Sequence, residues 1–159
     1  NLVLEAKPAQ VTLVPDAEDA ITSNAGWDTQ KYNVFLKEII SKFKSHGIRT
    51  SIFVDPKIEM IRGAAEVGTD RIELYTEDYA TGYEVNKTKA IEPYSQCAEL
   101  AHSLGLGINA GHDLSLENIA YFSEHLPHLD EVSIGHALIS EALYQGLETV
   151  VKAYLEKLK

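Results

Sequence analysis

The chain has 159 residues, 45% hydrophobic and 24% charged, an ordinary globular balance with enough length to bury a core. Its formal net charge is −10, from 24 acidic against 14 basic side chains, which disfavours a nucleic-acid backbone or an anionic membrane surface as partner. One cysteine, Cys97, leaves no internal disulfide and no cysteine-based metal site, and no apolar run approaches the roughly 18 residues of a membrane span, so the expectation is a cytoplasmic protein.

The opening NLVLEAKP reads as the tail of a helix. With Met60 as the sole methionine, the chain is expected to be a fragment of a longer one. The first strand is QVTLV (10–14), and PDAEDAITSN follows it without a glycine. A helical segment runs from Asp28, a plausible N-cap, to Gly47, a plausible C′ residue, with Phe35, Ile39 and Phe43 on one face. IRTSIFV (48–54) is the second strand. The helix after it opens with Asp55 as cap and Pro56 in first position, and Gly68 closes it. RIELYT (71–76) is the third strand. The long segment beyond it ends at Gly105, with a late start or a kink expected from Pro93. Cys97 falls on its buried face, a packing role. GLGIN (105–109) leads to a helix capped by Ser115, and EVSIG (131–135) to a last helix from about Ser140 to Lys159.

Strands alternating with helices mean an α/β fold with parallel strands. Continuous apolar runs suit strands covered on both faces. Two architectures compete: an open doubly wound sheet, or a (β/α)8 barrel of which this chain holds the last five units. The open nucleotide-binding sheet calls for a glycine-rich loop after its first strand, and none is present. A barrel gathers polar residues from different strand ends at one mouth. Here the strands end in Pro15-Asp16, Asp55, Thr76-Glu77, Asn109 to Asp113, and Gly135-His136. The barrel reading is favoured, as a single domain.

Three strand ends are candidate chemistry. In LGINAGHDL, Gly111 would let the backbone approach a ligand and His112 would present an imidazole able to move a proton near neutral pH. The bland alternative is a histidine that ties down its own loop. Gly135 and His136 open a helix, where unpaired N–H groups and the helix dipole favour an anion; a tight turn is the plain alternative. Glu73 sits inside an apolar run, opposite Ile72 and Leu74. A carboxylate placed there is costly unless catalytic or paired, with Arg71 or a helix lysine as candidate partner. Tyr75, Tyr79 and Tyr83 could form a flap or simply pack. No H-E-x-x-H or comparable metal-ligand spacing occurs, so no metal is expected. No lysine ends a strand, which disfavours a Schiff-base aldolase.

Four stretches, TLVPDAEDAITSNAGWD, GTDRIELYTEDYA, LGLGINAGHDL and EVSIGHALISEAL, resemble the pyridoxine 5′-phosphate synthase family in order and spacing, over essentially the whole chain. The resemblance implies a (β/α)8 barrel of which strands 4–8 are represented here, usually assembled as a homo-octamer built from dimers. It implies a ring-closing, transferase-class enzyme of vitamin B6 biosynthesis. The family condenses 1-deoxy-D-xylulose 5-phosphate with 3-amino-2-oxopropyl phosphate to pyridoxine 5′-phosphate, phosphate and water, without metal or organic cofactor. By motif, His112 matches the catalytic proton donor and Glu73 the glutamate that stabilises charged intermediates. Thr22 matches a substrate-binding threonine, and Gly135 and His136 the pair that holds a phosphate. Asp113 stands where some members carry glycine, at a substrate-binding position. The family's first three strands carry a further catalytic histidine and glutamate and basic phosphate ligands with no counterpart here. These 159 residues alone are therefore expected to be inactive.

Overall fold

A computed structural model describes residues 2–16 and 21–159. Residues 17–20, inside the first of the four motifs, lie outside the described residues. The elements follow in the order α1 (Leu2–Ala6), β1 (Gln10–Leu13), α2 (Asn33–Lys44), β2 (Arg49–Val54), α3 (Ile58–Glu66), β3 (Arg71–Tyr75), α4 (Glu77–Ser103), β4 (Gly107–Gly111), α5 (Ile119–His125), β5 (Leu129–Ser133), α6 (His136–Gln145) and α7 (Leu147–Lys157).

The strands form one parallel sheet in sequential order β1-β2-β3-β4-β5, without the reversal that marks a doubly wound switch point. Register is set by alternation. Ile52, Val54, Ile72, Leu74, Ile108 and Ala110 are fully buried and join Leu36, Ile40, Ile61, Tyr94, Cys97 and Phe122 in a single core between sheet and helices. Each such Leu, Ile, Val or Phe side chain contributes about 1.5–3 kcal/mol through removal from water. The intervening residues project to the opposite face. They are Phe53, Arg71, Glu73, Asn109, Glu131 and Ser133, and across it Phe53, Glu73, Asn109 and Glu131 stand in register. The runs that read as apolar on both sides thus carry one apolar and one largely polar face.

Local signals located the helix stops better than the starts. Gly47, Gly68 and Gly105 adopt φ of 75°, 78° and 78°, the left-handed conformation that ends a helix. Asp28 does accept from the N–H groups of Gln30 and Lys31, at 3.2 and 2.9 Å, but it caps a turn ahead of α2. Asp55 is not a cap. It accepts from the Gly26 N–H at 2.9 Å and pairs with Lys57 at 2.9 Å, tying two loops together while α3 starts at Ile58. The interruption of α4 falls at Asn86, with φ −161° and ψ 91°, rather than at Pro93. The Asn86 side chain then accepts from the Lys89 N–H at 3.0 Å and restarts the helix. The expected last helix is two, α6 and α7, parted at Gly146 with φ 86°. Tyr79 is fully buried against Tyr94 and Phe122, so the tyrosine cluster packs α4 onto α5. Among the described residues no helix is long and apolar enough to cross a membrane.

Candidate active site

The C-terminal ends of β1 to β5 open on one side of the sheet. There a cleft of about 320 Å³ is bordered by Glu73 from β3, His112 just past β4, and Ser133, Gly135 and His136 at the junction of β5 and α6, with Phe53 as an apolar wall. The six residues singled out by sequence therefore meet. Thr22 Oγ1 lies 2.8 Å from His112 Nε2, and Asp113 Oδ2 lies 2.9 Å from His112 Nδ1. A larger cavity of about 460 Å³ lies beside it, lined by Asp55, Lys57, Glu77, Lys89 and Tyr94. Tyr75 borders that cavity, and its ring meets the His112 ring edge-on at 5.5 Å between centroids.

His112 owes its position to an unusual backbone. Its φ is +98°, a left-handed conformation that a residue with a β-carbon reaches at a cost of about 1–3 kcal/mol. The fully buried Thr76 hydroxyl spans the turn: it donates to the Gly111 carbonyl at 2.7 Å and accepts from the Asp113 N–H at 3.0 Å. Gly111 serves this packing more than a ligand. A β-carbon there would come 2.5 Å from the Ser133 carbonyl oxygen and 3.1 Å from Glu73 Oε1.

Glu73 is not in the ion pair that Arg71 offered. Arg71 pairs instead with Asp130 at 3.0 Å and donates to Asn109 at 2.9 Å, and among the described residues no cation lies in ion-pair range of Glu73. Thr12 donates to it at 3.4 Å. Burial pushes the Glu73 carboxyl above its ordinary range, the nearby Glu131 carboxylate adds to this, and hydrogen bonds from Ser133 and Thr12 together with the His112 charge oppose it. Burial and the Glu77 carboxylate on its hydroxyl raise the Tyr75 phenol too.

Gly135 caps α6, and nothing lies within 4 Å of where its β-carbon would stand, so its backbone faces open space in the cleft. His136, the first residue of α6, sits with its ring 6.1 Å from that of His112. The other histidines lie elsewhere: His46 and His125 bond the carbonyls of Lys42 and Tyr121 near their own helix ends, and His102 stacks on His128. Among the described residues no group of three or more His, Cys, Asp or Glu could hold a metal ion.

Sequence reasoning had Thr76 as a polar strand end and missed its role as a clamp. Ser133 and Thr12, which touch the carboxylate, carried no signal beyond their alternation with buried neighbours.

The family model of the pyridoxal phosphate biosynthesis protein PdxJ matches residues 1–159. The pyridoxine 5′-phosphate synthase of Christiangramia forsetii is 67% identical over 159 residues, which are 100% of this chain and 67% of that protein. The corresponding synthase of Flavobacterium johnsoniae is 65% identical over the same share of each, and that of Cytophaga hutchinsonii 61% identical over 99% of this chain and 66% of its own. The chain thus spans about two thirds of the length of these curated relatives. A crystal structure of the Amycolatopsis orientalis BexX/CysO complex matches with a TM-score of 0.59 at 17% identity, over 99% of this chain and 59% of that one, a likeness of fold alone.

Proposed function

The chain belongs to the family of the pyridoxal phosphate biosynthesis protein PdxJ, and from that membership we propose that the complete protein is a pyridoxine 5′-phosphate synthase. It would condense 1-deoxy-D-xylulose 5-phosphate with 3-amino-2-oxopropyl phosphate, releasing phosphate and water. The observation that carries this reading is the meeting of His112, Glu73 and the Gly135-His136 helix start around one cleft. The five sequential strands are read as strands 4–8 of a (β/α)8 barrel, in a homo-octameric, cytoplasmic enzyme of the transferase class.

The residues divide the work by chemistry. Ring closure requires protons to move to and from oxygen and carbon, and His112 is the group that can supply them near neutral pH. It acts as proton donor to a departing hydroxyl. Glu73 is half-buried, with the hydroxyls of Thr12 and Ser133 as its donors, so its carboxylate gains most when positive charge appears beside it, as in an iminium intermediate. Gly135 and His136 receive a substrate or product phosphate on N–H groups at the start of α6. Thr22 binds substrate beside the His112 ring, and Asp113 contributes to the same site through the ring that it holds.

The test is product formation from the two substrates by the complete protein. His112→Asn should lower kcat by about 10²–10⁴-fold with the fold intact. A rate like that of the wild type would contradict the assignment. The 159 residues alone are expected to give no pyridoxine 5′-phosphate, and measurable turnover by them would refute that part of the reading.

A further inference from the structure

Both nitrogens of the His112 ring are engaged, and the two partners are not equivalent. Asp113 Oδ2 stands 2.9 Å from Nδ1, and Thr22 Oγ1 2.8 Å from Nε2. An ionised carboxylate accepts hydrogen bonds and cannot donate, so Nδ1 carries hydrogen. In the neutral ring Nε2 then holds the lone pair, and the Thr22 hydroxyl, which can do either, donates to it.

Neighbouring residues on an extended strand point to opposite faces, so this contact needs an explanation. It comes from the turn. The φ of +98° at His112 brings residue 113 round to the imidazole side, and Thr76 pins the backbone on both flanks through Gly111 and Asp113. The Asp113 N–H is committed to Thr76, which leaves its carboxylate as the group that acts on the site. The Asn118 amide, donating to the Asp113 carbonyl at 3.3 Å, holds the residue from the far side.

We propose that Asp113 is a positioning residue that fixes the tautomer and orientation of His112, so that Nε2 is the nitrogen that exchanges protons in the cleft. The Thr22 hydroxyl marks the direction from which a substrate hydroxyl meets Nε2. The role in turnover rests on the reading of His112 as proton donor, whereas the tautomer itself does not.

The experiment compares the complete protein with Asp113→Asn and Asp113→Glu. Asn keeps the size of Asp but offers both a donor and an acceptor, so it satisfies either tautomer; Glu keeps the carboxylate. Solid-state 15N spectra of histidine-labelled protein, with the residue 112 signal assigned by its loss in His112→Asn, report the tautomer without any substrate. The neutral ring should carry hydrogen on Nδ1 in the wild type and become mixed or reversed in Asp113→Asn. In the assay Asp113→Asn should lower kcat about tenfold to a hundredfold with KM within about twofold, and Asp113→Glu should recover part of the loss. An Nε2–H tautomer in the wild type, the same tautomer in both proteins, or an unchanged kcat in Asp113→Asn would overturn the proposal. If the wild type makes no product but shows the Nδ1–H ring, the functional reading has failed and the tautomer assignment has not.

Discussion

Two carboxylates, one just before β3 and one in its middle, show how one strand divides stability from chemistry. Asp70, just before the strand, pairs with Lys44 at 2.8 Å and accepts from the Thr50 N–H and hydroxyl at 2.8 and 2.9 Å. Partial burial pushes its carboxyl up, but these partners outweigh it and hold the group below its ordinary range. Glu73, three positions on, has weaker hydrogen-bond support, and burial wins. Toward the lower end the charges are paired: Lys44 with Asp70, Arg71 with Asp130 at 3.0 Å, and Arg49 reaching up to Glu131 at 2.7 Å, on the same rung as Glu73. The upper end carries a left-handed histidine, a raised carboxyl and a helix start facing open space. Charge satisfied in the ground state serves the fold, and charge left short of partners is available to a substrate.

Substitutions at the two ends should separate these roles. Apart from His112 itself, the largest effect is expected at Gly111. Its replacement by Ala drives a methyl group toward the Ser133 carbonyl and the Glu73 carboxylate, displacing groups at the proposed substrate cleft, and kcat should drop about a hundredfold. Steady-state kinetics on folded protein checks this. Next, Thr76→Val removes the clamp and leaves the Gly111 carbonyl and the Asp113 N–H unpaired in a buried turn. That should cost about 1–3 kcal/mol in denaturant unfolding and activity with it, while Thr76→Ser keeps the hydroxyl and recovers most of both.

At the lower end the outcome reverses. Asp70→Asn should cost about 1–2 kcal/mol near neutral pH, given the partial exposure of the pair, and leave kcat unchanged. Because the folded-state value of Asp70 lies below the ordinary 3.8, its contribution is present above that pH and is lost as the pH falls through the folded value. The difference between wild type and Asp70→Asn should therefore close in acid. Glu73 has the opposite sign. Its folded-state value lies above 4.5, so the wild type is favoured at low pH and loses stability relative to Glu73→Gln as the pH rises through the raised value. This is the smallest of the effects, read from melting temperatures across pH, and it should accompany a loss of turnover that Asp70→Asn does not show.

Much of the molecule was legible because its signals are local or periodic. The five βα units follow from apolar runs punctuated by Gly47, Gly68 and Gly105, each of which ends a helix in the conformation that glycine favours. The convergence of His112, Glu73 and Gly135-His136 followed from parallel topology, which sends every strand end to the same side. What escaped depends on tertiary partners. Asp55 reads as a helix cap next to Pro56, yet a more distant loop, through the Gly26 N–H, captured its carboxylate. Pro93 is tolerated while Asn86 breaks the helix, since an Asn side chain can cap the restart and the packing of Tyr79 on α5 fixes the first half. Thr76 looks like any polar residue at a strand end. Its value as a clamp exists because β4 lies alongside, and no local pattern encodes that contact.

The central claim is that separate strand ends form one site for an organic phosphate, and a crystal structure of the complete protein with pyridoxine 5′-phosphate tests it most directly. The account predicts the phosphate on the N–H groups at Gly135 and His136, with the ring of the product beside His112 Nε2 and the Glu73 carboxyl. A product bound elsewhere, with this cleft holding none of it, would contradict the account.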